Sequence, residues 1–392
     1  MTDISTTLPS NTPSHTPSHG APETGDHQVV GRSLWQDAWI RLRRNRAAVA
    51  SGIVLIVLTL TGIFGPMLSP HPYEKIYPQF VRVSPSLEAY PRAETILPGL
   101  DREMARARLK GGEPELNGSK LTVDVTSNAG RELDERVLRY FDRSDLFKNA
   151  KLELAADKLS GQLSLDVTRN YFFFGTDNLG RDMMTRTFIG VRISLAIGLL
   201  ASFMALVLGV SYGAVSGYLG GRIDNIMMRV VDILYSLPFI FFVILMLVFF
   251  GRSIFIIFIA IGATEWLDMA RIVRGQTLSL KRQEFVQAAE ALGATRRGII
   301  TRHIIPNALG PVIVFVTLLV PKAILLESLL SFLGLGVQDP MTSLGLLISE
   351  GAQNMRGASW QLIFPAVTLT LILFALNFLG DGLRDSLDPK DR

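Results

Sequence analysis

Lys322 and Glu327 lie five positions apart inside an apolar stretch that runs from Leu309 to about Leu329. An ionisable side chain in hydrocarbon costs about 2.5 to 3.5 kcal/mol on insertion scales, and it usually faces a cavity or a partner. The chemistry open to these two residues is therefore charge pairing or charge recognition. Five positions is not the i, i+4 spacing of a strong helical pair, although Pro321 can shift the local geometry. Two readings stand side by side: a structural pair near the outer surface, or a lining for a passage that meets the charged ends of a solute. Asp232, Glu265 and Asp268 border other apolar stretches and read as inner-surface charges partnered by Arg229, Arg271 and Arg274.

Covalent chemistry finds no support in the chain. There is no cysteine, so thiolate metal sites and disulfides are excluded, and the five histidines are scattered. No nucleophile–base set, paired carboxylate site or metal spacing stands out, so no catalytic or metal residues are assigned. Leu159 to Gln162 match part of the signature loop of ABC ATPases. Yet nowhere does G-x-x-x-x-G-K precede Ser or Thr, and without that cradle of backbone N–H groups nothing holds ATP. The chain is not expected to be an enzyme and needs no cofactor of its own.

The elements that must carry these charges are membrane spans. The chain has 392 residues, 48% of them hydrophobic, and a mean hydropathy of +0.31, with its charges gathered in patches. The pI of about 9.3 reflects Lys and Arg beside apolar stretches, which points to anionic lipid and not to nucleic acid. About 20 apolar residues are needed per crossing. Residues 47–68, Ile193 to Gly221, Ile233 to Gly251 with a kink at Pro238, Ser253 to Ala270, Leu309 to about Leu329, and Trp360 to Gly380 give six. Arginines before the first span place the N-terminus inside, so both termini are expected in the cytoplasm. Residues 1–32 read as a disordered cytoplasmic tail and 33–46 as an amphipathic helix at the inner membrane surface, with Leu34, Trp35, Ala38, Trp39 and Leu42 at helical spacing. Residues 70–186 form an extracytoplasmic insertion expected to be a small α+β module. Its strands are signalled by alternation in Leu121, Val123 and Val125 and in Leu163, Leu165 and Val167, and its helix by the spacing around Arg131 to Phe147. A core over 188–386 holds spans two to six.

Between the fourth and fifth spans lies a polar, basic loop, residues 279–306. Phe285, Ala288, Ala289 and Leu292 at i, i+3, i+4 and i+7 give a short helix a narrow apolar face that a partner can approach closely. Gly293 breaks that helix. Thr295 then caps a second one through Ile299, Ile300 and Ile304, ended near Pro306.

In its run from Glu284 to Pro306 the loop is similar to the EAA motif of ABC importer permeases. Ala288, Ala289, Gly293 and Pro306 match, while Gln287 replaces the first Glu, His303 the isoleucine and Ile305 the leucine of the motif. Gly175-Thr176-Asp177-Asn178-Leu179-Gly180-Arg181-Asp182, Ser331-Phe332-Leu333-Gly334-Leu335-Gly336 and Gly380-Asp381-Gly382-Leu383-Arg384-Asp385 add to the likeness. Together they resemble the C-type permease subunit of oligopeptide and dipeptide importers, from about Ser33 to the C-terminus apart from most of the insertion.

The resemblance implies an all-α polytopic fold of the type I importer permease kind, with six transmembrane helices in a bacterial inner membrane. It implies peptide cargo, a second related permease as heterodimer partner, two ATPase subunits that bind ATP and Mg, and an extracytoplasmic substrate-binding protein. Gln287, Ala288, Ala289, Gly293, Thr295 and Pro306 would form the contact to the ATPases. Nickel chelates or other small solutes are alternative cargoes. An ion-coupled secondary transporter, with Glu265, Asp268 or Glu327 carrying protons, is the rival class; the chain shows no inverted repeat in its favour.

Overall fold

The structure, a computed structural model, describes residues 34–387 except Ala129 and Arg131. The expected tail over 1–32 lies outside the described residues. Helix α1 (Leu34–Arg44) carries three arginines in its last turn, and the Arg43 guanidinium lies 4.8 Å over the Trp39 ring. Asn45 separates it from α2 (Arg46–Leu68) by capping the backbone N–H groups of Ala47 and Ala48.

The insertion that follows has a core of its own. Helix α3 (Ala93–Ala107) leads into strands β1 (Leu109–Gly111), β2 (Glu115–Asn117) and β3 (Lys120–Ser127), a short helix α4 (Leu138–Asp142), and strands β4 (Phe147–Leu154) and β5 (Ser160–Val167). The sheet is antiparallel in the order β1-β3-β5-β4, with β2 also paired to β3. The expected alternation appears as register: Leu121 faces Leu165 and Val123 faces Leu163, and all four are buried with Phe141, Phe147 and Leu100. The helix expected from Arg131 to Phe147 is only a 3₁₀ turn followed by five residues of α-helix. Helix α3, which contains Pro98 and Gly99, carried no such signal.

Helix α5 (Met183–Leu219) starts ten residues before the expected span, capped by Asp182 through the Thr185 N–H. Its Gly209, Gly213 and Gly217 fall on one face, and a Cβ at any of them would strike Met269, Ala270 or Thr277 of helix α8 (Ile254–Leu280). The two helices therefore meet backbone to backbone, the close approach that small residues allow in membranes.

Pro238 does more than kink the third expected span. It divides the segment into α6 (Gly221–Tyr235) and α7 (Phe239–Phe250), bent by 84°, because its ring can neither donate to the helix ladder nor fit beneath it. The coupling loop contains α9 (Glu284–Ala291), α10 (Arg296–Gly298) and a π-helical turn, Ile299–Ile304, that runs straight into α11 (Ile305–Phe332). Pro306 thus lies inside a continuous helical run, Arg296–Phe332, where a stop was expected, and it follows directly on the π-helical turn. A short α12 (Leu344–Gln353) precedes α13 (Trp360–Leu387), whose Gly382 lets it lie against Ala48 of α2. By length and composition the described residues hold four helices able to cross a membrane, or five if the bent α6–α7 pair is one span. Helix α8 has 27 residues, but Glu265, Asp268 and Arg271 interrupt its apolar run.

Candidate functional site

Helix α9 ends in a capping arrangement that requires glycine. The Gly293 N–H donates to the Glu290 carbonyl and the Ala294 N–H to the Ala289 carbonyl, both at 3.0 Å, while Gly293 itself sits at φ +80°. These bonds satisfy carbonyls that the helix end leaves open, and they demand the left-handed conformation. Thr295 then accepts from the Gly298 N–H at 3.2 Å and starts the next turn. Helix, hinge and helix are all present, with the second helix fused to α11.

The faces of α9 differ from the expected apolar stripe. Val286 and Ala289 point inward and pack with Ile299, Ile304 and Tyr218, whereas Ala288, Phe285 and Leu292 are exposed, Leu292 by 88%. Ala288 and Ala289 stand about 100° apart around the helix, and the edge of the packed face falls between them, so that only Ala289 is buried. Gln287 is exposed and reaches back to the Arg282 carbonyl at 3.2 Å. Two contacts with no signal in the sequence seat the loop: the Tyr218 hydroxyl donates to Glu290 Oε1 at 3.0 Å, and Lys281 Nζ donates to the Tyr218 carbonyl at 2.7 Å. Tyr218 is 72 positions before Glu290.

Lys322 and Glu327 part company. Lys322 Nζ donates to Glu265 Oε2 at 2.7 Å and lies 3.4 Å from Asp268 Oδ2, tying α11 to α8. Glu327 is fully buried, taking a 2.6 Å hydrogen bond from Ser331 and a 3.4 Å one from Ser194. Of the two readings, the Lys322–Glu327 pair is not formed, since five helical positions turn the two side chains to different neighbours. Glu265 and Asp268 are likewise partnered by Lys322, not by Arg271 and Arg274. Arg271 pairs with Asp232 at 2.9 Å, and Arg274 makes a two-pronged bond at 2.6 Å to Asp224 on α6, where Ser216 donates as well.

At the end of the bundle nearest the insertion, the Gly175–Asp182 segment folds around one carboxylate. Asp177 accepts from the Leu179 and Arg181 backbone N–H groups at 2.8 Å, from Arg181 Nε at 2.6 Å and from Arg186 Nη1 at 2.5 Å. Arg186 is wholly buried and continues to Glu350 of α12 at 3.1 Å. Burial pushes the Asp182 carboxyl above its ordinary value in spite of its bonds to Thr185. Among the described residues no cluster of three or more metal-ligating side chains occurs.

Residues 205–392 match the family described as the binding-protein-dependent transport system inner membrane component, and residues 33–85 match the N-terminal TM domain of oligopeptide transport permease C. The chain is 44% identical over 365 residues to the oligopeptide transport system permease protein OppC of Haemophilus influenzae, covering 93% of this chain and 91% of that relative. It is 45% identical over 365 residues to OppC of Escherichia coli K12, covering 93% and 94%. It is 37% identical over 361 residues to the dipeptide transport system permease protein DppC of Bacillus subtilis, covering 92% and 87%.

Proposed function

This chain belongs to the family of binding-protein-dependent transport inner-membrane components, among the oligopeptide and dipeptide permeases, and from that premise we propose how it moves peptides. It is the membrane-spanning permease of an ATP-driven peptide importer. The observation that carries the reading is the seated loop over residues 279–306, whose hinge at Gly293 and exposed Phe285, Ala288 and Leu292 lie on a chain that matches oligopeptide permeases over 93% of its length.

In this reading α8 completes six crossings, both termini lie in the cytoplasm, and the insertion lies on the opposite side. A second, related permease completes the passage. Two ATPase subunits bind ATP and Mg and grip the loop, and an extracytoplasmic binding protein delivers the peptide. Gln287, Ala288, Gly293, Thr295 and Pro306 shape or present the contact, while Ala289 anchors α9 from within. The loop acts as a lever because it is continuous with α11: a push on α9 is passed through the π-helical turn into a helix that reaches the charge cluster at Lys322. Closure of the ATPases then rocks the bundle between inward-open and outward-open states.

The test is uptake of labelled peptide into vesicles that contain the assembled transporter. ATP-dependent uptake that ignores an uncoupler supports the importer. Uptake that proceeds without nucleotide and collapses with the uncoupler assigns the chain to the ion-coupled class instead.

A further inference from the structure

The face of α8 turned away from α5 is polar over the second part of the helix, from Thr264 to Ser279. Thr264, Asp268, Arg271, Gly275 and Ser279 follow at i, i+4, i+7, i+11 and i+15, a spacing that keeps them in one stripe about 22 Å long. Thr264, Asp268 and Arg271 are partly exposed, and Gly275 and Ser279 are exposed. Lys322 of α11 stands beside the upper part of this stripe with half of its side chain accessible. Hydrocarbon does not tolerate such a surface, so it faces water or protein. The packing of α8 onto another helix is already made through the glycines of α5 on the opposite side. No heavy atom lies within 4 Å of a Cβ built on Gly275.

Counted together with Asp232 of α6, the charges at the stripe do not balance. Two carboxylates, Glu265 and Asp268, share the single ammonium of Lys322, and Asp268 holds it only at 3.4 Å while remaining 29% exposed. Arg271, on the next turn, is taken by Asp232. One negative charge is thus left over, and its exposed end is Asp268.

Resting on the peptide-permease reading above, we propose that this stripe is a wall of the translocation passage, and that Asp268, with Glu265 and Lys322 behind it, is a station for the free ammonium end of a peptide in transit. A cation entering the station is matched by the spare carboxylate, while a carboxylate entering it meets the same charge. Lys322 holds Glu265 and Asp268 together, so it acts as the positioning residue.

The chain has no cysteine, so single thiols can be placed without background. Thr264→Cys lies one turn from Asp268, and its hydroxyl bonds only to backbone carbonyls of its own helix. Gly275→Cys has open space for its side chain and serves as a second position if the first variant fails to assemble. In the reconstituted importer, with its partners, each thiol is exposed to cationic and anionic methanethiosulfonates of similar size, with rates referred to free thiol. The cationic reagent is expected to react about tenfold faster at Thr264→Cys. Asp268→Asn should erase that preference, and turnover with a saturating tripeptide should slow the reaction. Assembled variants that stay unreactive show that the partner permease or lipid covers the stripe, which overturns the proposal. Reaction without charge preference, or with a preference that survives Asp268→Asn, overturns the station. ATP-driven uptake by the parent transporter is measured alongside, so failure of the importer reading registers separately.

Discussion

Lys322 and Glu265 are joined by a 2.7 Å ion pair across two helices, although 57 positions separate them, while Glu327, on the same helix as Lys322, binds serines instead. Glu265 is 7% exposed and Lys322 50%. Removing the lysine strands a buried carboxylate, whereas removing the carboxylate leaves an ammonium that water reaches. Lys322→Met should therefore destabilise the protein more than Glu265→Gln, by about 1 to 3 kcal/mol once the exposed side is allowed for. The double variant Lys322→Met/Glu265→Gln should recover most of the loss. Thermal unfolding in detergent reads both. Rescue by Glu327→Gln in place of Glu265→Gln would restore the pairing that the geometry rejects.

Glu327 joins three helices through hydroxyls. Ser331 donates to one oxygen and Ser194 to the other, and Ser194 also accepts the Leu344 N–H at 3.1 Å at the start of α12. Glu327→Ala removes the acceptor for two buried hydroxyls and leaves a cavity, so a loss of about 2 to 4 kcal/mol is expected. Glu327→Gln keeps one carbonyl acceptor and the volume, and should cost less than half of that. Equal losses in the two variants, measured by thermal unfolding, would mean that the hydrogen bonds do not hold α12.

The sequence was legible where the physics is local. The alternation in β3 and β5, the Gly293 break and the Thr295 cap each depend on residues within a few positions, and each appears in the structure. Charges were misassigned where the nearest helical neighbour was taken as the partner. Arg271 and Arg274 are three or more positions from Asp268, yet they turn to Asp232 and Asp224 on α6, and Lys322 reaches across from α11. Helix α12 escaped notice because Gly345 and Gly351 weaken its propensity. What makes it a helix is the Ser343 cap and the close approach of those glycines to Ser328 and Gln361, which only tertiary structure supplies. Pro306 was read as a stop because proline ends helices from within, but here the helix continues through it directly after a π-helical turn.

Gly293 tests the lever. Gly293→Ala must adopt φ +80° with a Cβ, at a cost of about 1 kcal/mol, although no neighbour lies within 4 Å to clash with it. The strain is local, so membrane insertion should survive. Gly293→Val, being β-branched, should distort the hinge further. Peptide moved per ATP hydrolysed should fall in the order glycine, alanine, valine while the protein still reaches the membrane. Full coupling in the valine variant would detach the loop hinge from transport.

Leu292 and Tyr218 separate contact from support on the same loop. Leu292 is 88% exposed, so Leu292→Ala should leave unfolding unchanged and weaken retention of the ATPases during purification. Tyr218→Phe loses the bond to Glu290, worth about 1 kcal/mol, and should loosen α9 without touching its outer face. Co-purification and unfolding measured on both variants should give opposite patterns.

Asp182 supplies a pH signature at the start of α5. Burial raises its folded-state value above the ordinary carboxylate range. Its Oδ2 takes both bonds from Thr185, while Oδ1 is buried without a partner and is the natural seat for a proton. A raised value means that the folded state binds the proton at a higher pH than the unfolded chain. The stabilising contribution is therefore complete below the unfolded value and is lost as pH rises through the folded one. Asp182→Asn removes this dependence. The difference in unfolding temperature, wild type minus variant, should grow in favour of the wild type as pH falls from neutral towards about 4. A difference that shrinks over that interval would mean that Asp182 is held ionised by a cation, and the cap would then work as a charge at the helix N-terminus instead of a neutral acceptor.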